Sequence, residues 1–173
     1  MHFSSEDNGG LMREIFNFVA AASPHFSREL SAAGSVTVRL GRTQGGTPGE
    51  WRVGSRTIVL DPGRASTAHL CGTAVFEILN AAAERDLAAL EADVLSGHLD
   101  REAARQGWSP QHFYAMEVER IEWRNGRRHR EIVAAAGGSQ TGANLFANEG
   151  DFNSYYARQV RAGHTHSYEF RYN

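Results

Sequence analysis

One stretch constrains this chain more than any other, Ala65 to Leu95. Its first half carries Leu70, Ala74, Val75-Phe76-Glu77-Ile78-Leu79 and Ala81-Ala82 and leaves almost no polar surface. A helix that is apolar nearly all round has to be enclosed by other elements. Ser66 or Thr67 can cap its start. Beyond Glu84 the pattern turns amphipathic, with Leu87, Leu90 and Val94 facing in and Arg85, Asp86, Glu91 and Asp93 facing water. Gly97 is the stop signal. The pattern predicts one long helix, and the rest of the chain has to wall its apolar half. Glu77 stands within that half, and a buried carboxylate requires a partner. The arginines of a later helix, Arg120 and Arg124 among them, are the expected ones.

At 173 residues the chain has room for one domain with a real core, and residues 1–173 are read as a single domain with a flexible start at 1–9. No apolar run reaches the roughly 18–20 residues of a membrane span. The start, Met1-His2-Phe3-Ser4-Ser5-Glu6, lacks the basic and apolar regions of a secretory signal. The expected location is therefore the cytoplasm, or export without a cleavable signal. Cys71 is the single cysteine and is read as a small buried hydrophobe. Net charge is −2, which argues against non-specific nucleic-acid or membrane partners. All 18 basic Lys/Arg positions are arginine. Genomic composition produces this, as does avoidance of lysine-directed modification in a bacterial protein delivered into a eukaryotic cell.

Ahead of the central stretch, Leu11, Ile15, Phe18 and Val19 predict a helix over 10–22. Ser23-Pro24 predicts the start of a second, running to Ala32 and ended by Gly34. Val36, Val38 and Leu40 alternate with polar residues as a half-buried strand does. The loop 41–49 has no apolar anchor and is expected to be mobile. Trp51 and Val53, then Thr57-Ile58-Val59-Leu60, flank Gly54-Ser55-Arg56 as a hairpin, closed by Asp61-Pro62-Gly63. After the central stretch, Asp100 caps a short turn over 101–106. Ser109-Pro110 opens a long helix to about Ala135, its charges dense and paired three or four apart. A polar loop over 137–150, anchored by Leu145-Phe146 with Asn144 and Asn148 as caps, leads to a helix over 151–162 capped by Asp151. The alternating Tyr168, Phe170 and Tyr172 predict an extended tail.

The order of a hairpin, Asp61-Pro62, then a buried helix with a central Glu77 and small Ala81-Ala82, resembles a zincin metallopeptidase over about residues 35–135. The zinc helix of that family reads His-Glu-x-x-His, its histidines four apart on one face and its glutamate activating water. Phe76 and Asn80 stand at the two ligand places here. Phenylalanine cannot ligate, and asparagine is a poor zinc ligand. The resemblance implies an α+β fold, a small hairpin-containing sheet packed on two long antiparallel helices. The departure implies a catalytically degenerate domain that acts through protein–protein interaction, as a bacterial secreted effector or toxin-associated protein would. No cofactor is expected on that reading. A zincin third ligand would come from the next long helix, where Glu117, Glu119 and Glu122 lie.

Two alternatives stand beside it. One is an active metallohydrolase that uses Glu77, with Asn80 beside it, together with His69 or the pair His164 and His166. In an extended tail His164 and His166 share a face and could both hold zinc. The other is a purely structural or interaction protein unrelated to zincins. The basic run Arg124–Arg130 with His129 is interleaved with Glu122 and Glu131, which predicts a solvated, internally paired helix rather than a nucleic-acid surface. Trp51, Trp108 and Trp123 are candidates for a partner surface or the core, and Ser154-Tyr155-Tyr156 has no adjacent base to make a nucleophile.

Overall fold

A computed structural model describes residues 1–3, 10–138 and 150–172. Asn144, Leu145, Phe146 and Asn148 lie outside them. Among the described residues the fold is α+β and mostly helical, with a four-stranded sheet. The chain groups into two compact units. One holds Met1–Glu84 with the long helix from Asn125 onward, the other Arg85–Arg124 with the described residues from 150.

In the first unit α1 (Leu11–Ala22) and α2 (Ser27–Ala33) precede strands β2 (Thr37–Leu40), β3 (Gly49–Arg52) and β4 (Thr57–Leu60) and helix α3 (Thr67–Ala82). The strand β1 (His2–Phe3), unforeseen in the polar start of the chain, adds a parallel edge to β2. The sheet order is β1-β2-β4-β3, with β2 and β4 parallel and β3 antiparallel to β4. The predicted hairpin is present, with Arg52 opposite Thr57. Arg56 closes its turn in the left-handed region at φ 48°, which is costly for a residue with a Cβ. Its guanidinium bonds the carbonyls of Ala33 (2.6 Å) and Ser35 (3.0 Å) and the carboxylate of Glu84 (2.6 Å).

Helix α3 is the centre of this unit, as its apolar pattern requires. Leu70, Ala74, Val75 and Ile78 have no exposed surface. α1, α2 and strands β3 and β4 pack against it. The end of the long helix α6 (Pro110–Ala135) also runs beside it: His129 bonds Gly72 and Asn125 bonds Asn80. Partner numbers rise on one helix as they fall on the other, so the two are antiparallel. The sheet approaches α3 closely at Gly49, where an added Cβ would lie 2.3 Å from Thr73 Cγ2 and 3.1 Å from Glu77 Cγ. Only glycine fits there.

Four expectations are corrected. Asp100 is not a cap: the helix that holds it already starts at His98, with Gly97 before it and Asp100 inside its first turn. The predicted helix over Ala65–Leu95 is two helices: α3 ends at Ala82, Ala83 leaves helical geometry at ψ 1°, and α4 runs over Glu84–Leu95. The break falls where the all-apolar pattern stops and Glu84 is held by Arg56. Helix α2 starts at Ser27 rather than Pro24, because Phe26, 1 % exposed, turns into the core with φ −146°. Ser23 does not cap it; its hydroxyl donates back to Ala20. The tail is helical, α8 (His166–Tyr172), rather than extended. Tyr168 and Tyr172 are spaced by four as well as alternating, and the helical spacing turns both rings onto the second unit's aromatic cluster.

That second unit holds α4, α5 (His98–Gln106), the first part of α6, α7 (Phe152–Arg161) and α8, around Leu99, Phe113, Met116, Phe152, Tyr155 and Tyr156. Leu87, Leu90 and Val94 face this cluster as predicted. Ser109 caps α6 through the His112 amide at 3.2 Å, and Asp151 caps α7 through the Ser154 amide at 2.9 Å. No helix among the described residues is long and apolar enough to cross a membrane.

Gly49→Ala should destabilise the first unit by about 1–3 kcal/mol through overpacking. Urea unfolding followed by tryptophan fluorescence and far-UV circular dichroism checks this.

Candidate functional site

The polar groups that sequence reasoning singled out fall in both units, and each group is described within its own. In the first unit, Glu77 lies 7 % exposed in the middle of α3. Its Oε2 accepts a hydrogen bond from the Asn80 amide at 3.1 Å, and the Asn80 carbonyl oxygen accepts one from the Asn125 amide at 3.1 Å. An amide is thus one contact of Glu77. Arg120 bonds Glu117 at 3.2 Å and Arg124 bonds Asp86 at 3.3 Å. A carboxylate one helical turn from an asparagine reaches it along the same face, so the pair follows directly from the spacing of residues 77 and 80.

One residue before Glu77, Phe76 packs edge-on against the ring of His129, 5.9 Å between centroids. His129 is 2 % exposed and donates from Nε2 to the carbonyl of Gly72 at 2.9 Å. Burial, with a smaller contribution from neighbouring His69, pushes its pKa down from 6.5 to about 4 against the raising effect of the bond to Gly72. It is therefore a neutral core histidine near pH 7. His69 lies two helical turns before Glu77, about 12 Å along the axis at 1.5 Å per residue. Cys71 is buried, and burial raises its thiol pKa, so it behaves as a small hydrophobe. Within the arginine run, Arg128 bonds Glu131 (3.1 Å) on its own helix and, outside it, Glu29 (2.6 Å) and the His25 carbonyl (2.6 Å).

The second unit contains a group that was visible in sequence only as separate parts. Glu119 and Glu122 are three apart on α6 and share a face. Helix α7 ends at Arg161, and Gly163 takes φ 74° with its amide on the Val160 carbonyl (3.0 Å), while the His164 amide bonds the Gln159 carbonyl at 3.1 Å. This is a Schellman ending, and it fixes the backbone of His164 as the residue after the left-handed glycine. Nδ1 of His164 then donates to Glu119 Oε1 at 2.7 Å. Glu119 has no exposed surface, and the hydroxyl of Tyr155 donates to its Oε2 at 2.8 Å. Gln159 in turn donates to Tyr155 at 2.7 Å, and Tyr168 donates to Glu122. The bond to Glu119 raises the pKa of His164, and the charge of Glu122 adds to the effect. The ligand-type atoms of Glu119, Glu122 and His164 all lie within 4.8 Å of one another. His166 is exposed at the start of α8 and is not part of this group; the expected His164–His166 pairing relied on an extended tail.

A further polar chain in the same unit joins Glu169, His112 and Tyr156. Nδ1 of His112 donates to the Glu169 carboxylate at 3.1 Å, and Nε2 accepts from the Tyr156 hydroxyl at 3.0 Å. The indole of Trp108 stacks flat on the imidazole, 4.7 Å between centroids. Burial pushes the Tyr156 pKa up to about 12, with Glu169 and Glu119 adding to it, so the phenol stays protonated and is no nucleophile.

Sequence reasoning missed Asn125 and His129 as polar partners of α3. Their signal was an asparagine and a histidine four apart on the α6 stretch that also carries Ile132 and Val133. No protein-family model, curated protein or solved structure matches the chain.

Two outcomes follow. His129 keeps its ordinary value of 6.5 in the unfolded chain and titrates at about 4 when folded. Its contribution to stability is full above pH 6.5 and lost as pH falls through 4, at about 1.4 kcal/mol per unit and on the order of 3 kcal/mol in all. Urea unfolding at pH 7 and pH 4 measures it, and His129→Gln should flatten that part of the profile. Gly163→Ala should cost about 1 kcal/mol by straining the left-handed position. In a nuclear magnetic resonance titration it should also lower the His164 pKa toward 6.5, because the bond to Glu119 is displaced.

Proposed function

We propose that this chain is a non-catalytic binding protein, a degenerate zincin-like domain that acts through contact with another protein. The observation that carries this reading is the amide chain Asn125–Asn80–Glu77. In a zinc peptidase the glutamate of the helix must activate a metal-bound water, and its neighbours four apart must ligate. Here the carboxylate is buried and tied to Asn80, and Phe76 is spent on an aromatic contact with a neutral histidine. Those roles suit a core that has been closed over polar residues rather than a site that turns over substrate. Exposed Trp108 and Leu95 in the second unit offer apolar surface to a partner. The lysine-free composition supports delivery into a cell where lysines are targets of modification.

The test is metal content and hydrolysis in the Glu77→Ala variant. The expected result is the same metal content as the parent protein by elemental mass spectrometry, and no cleavage of unfolded protein substrate by either. Zinc that disappears with Glu77, or cleavage that does, overturns the proposal. Asn80→Ala should cost about 1–3 kcal/mol, because it removes a partner from a buried carboxylate. Thermal unfolding of the two proteins compares them.

A further inference from the structure

We propose that Glu119, Glu122 and His164 form a binding site for a divalent first-row transition ion, zinc foremost, within the helical second unit. The site shares no residue with α3 and does not depend on the reading of Glu77.

The donor set is one imidazole and two carboxylates. That combination suits zinc and its first-row neighbours, whereas magnesium and calcium prefer oxygen alone. Distances allow it. Around a tetrahedral ion with bonds of about 2.0–2.2 Å, neighbouring ligand atoms stand about 3.3 Å apart. Nδ1 of His164 and Oε1 of Glu119 are now at 2.7 Å, and all three groups lie within 4.8 Å. Small side-chain rotations bring them to that spacing.

Charge allows it as well. Two carboxylates face one imidazole, so the three groups sum to −1 when the histidine is protonated. With zinc bound, the imidazole proton now donated to Glu119 leaves for solvent, and the sum becomes zero. A carboxylate with no exposed surface, as Glu119 is, gains from that neutralisation.

The surroundings are those of a held ligand. Tyr155 grips the Glu119 oxygen that faces away from His164, and Gln159 grips Tyr155 in turn. Tyr168 orients Glu122. Hydrogen bonds of this outer kind fix the direction of ligating groups and raise affinity. The backbone of His164 is set by the glycine before it. Its side chain is 45 % exposed, which leaves a path for an ion from solvent. Three protein ligands leave a fourth position for water.

The experiment is zinc titration of the full chain by calorimetry, with elemental mass spectrometry after dialysis, on the parent protein and on Glu122→Gln, His164→Gln and His166→Gln. Fully buried Glu119 is left intact so that the variants fold, and circular dichroism verifies that they do. One zinc per chain is expected, with affinity at least roughly tenfold weaker in Glu122→Gln and in His164→Gln. His166→Gln should bind as the parent does. Cobalt in place of zinc should give a visible absorption band that changes in His164→Gln. A parent protein that retains no zinc overturns the proposal. So do Glu122→Gln and His164→Gln variants that bind as the parent does, or an equal loss in His166→Gln. Zinc lost on Glu77→Ala but not on His164→Gln would overturn both this site and the non-catalytic reading of α3. Absence of zinc from every protein would overturn this site alone.

Discussion

Everything in the first unit depends on enclosing α3. Its apolar faces cannot meet water, and α1, α2, the sheet and the end of α6 all pack against it. The enclosure is tight enough that β3 can pass over Thr73 and Glu77 only as a glycine. At a rough 25 cal/mol per Å² of apolar surface removed from water, burial on this scale is the main force available to hold a small sheet of strands two to four residues long. Such strands form few ladder bonds and would not persist alone. The sheet therefore owes its order to the helix beneath it.

The same enclosure decides how polar groups inside it behave. His129 avoids a charge by titrating far below neutrality, and its single donated proton goes to a backbone carbonyl of α3. Glu77 is met by an asparagine amide that is itself held by a second asparagine. The second unit resolves the problem in another way. Glu119, with no exposed surface, is met by an imidazole and a phenol.

Much of the fold was legible from residue spacing. The all-apolar pattern of α3, the hairpin around Arg56, the caps Ser66, Ser109 and Asp151, and the stops Gly34 and Gly97 each act within a few residues, and local signals are read locally. The failures share a cause. The break at Ala83, the late start of α2 and the helical tail are set by tertiary partners: Glu84 on Arg56, Phe26 in the core, Tyr168 on Glu122. The alternating aromatic tail was ambiguous in principle, because Tyr168 and Tyr172 fit both periods. Of the candidate site, Glu77 and Asn80 were visible as a pair. The grouping of His164 with Glu119 and Glu122 was not, since it joins residues about 40 positions apart through a glycine turn.

Arg56 carries a consequence of its own. Its backbone occupies a region that suits glycine, and its side chain serves the carbonyls of Ala33 and Ser35 and the carboxylate of Glu84 at once, with the Trp51 ring 5.6 Å away. A planar fork of five donors can reach several acceptors from one anchor, and an ammonium group cannot do so in the same geometry. The hairpin turn is therefore a tie-point at which conformational ease yields to connectivity: a residue best suited to the bend would leave the end of α2 and the start of α4 unfastened.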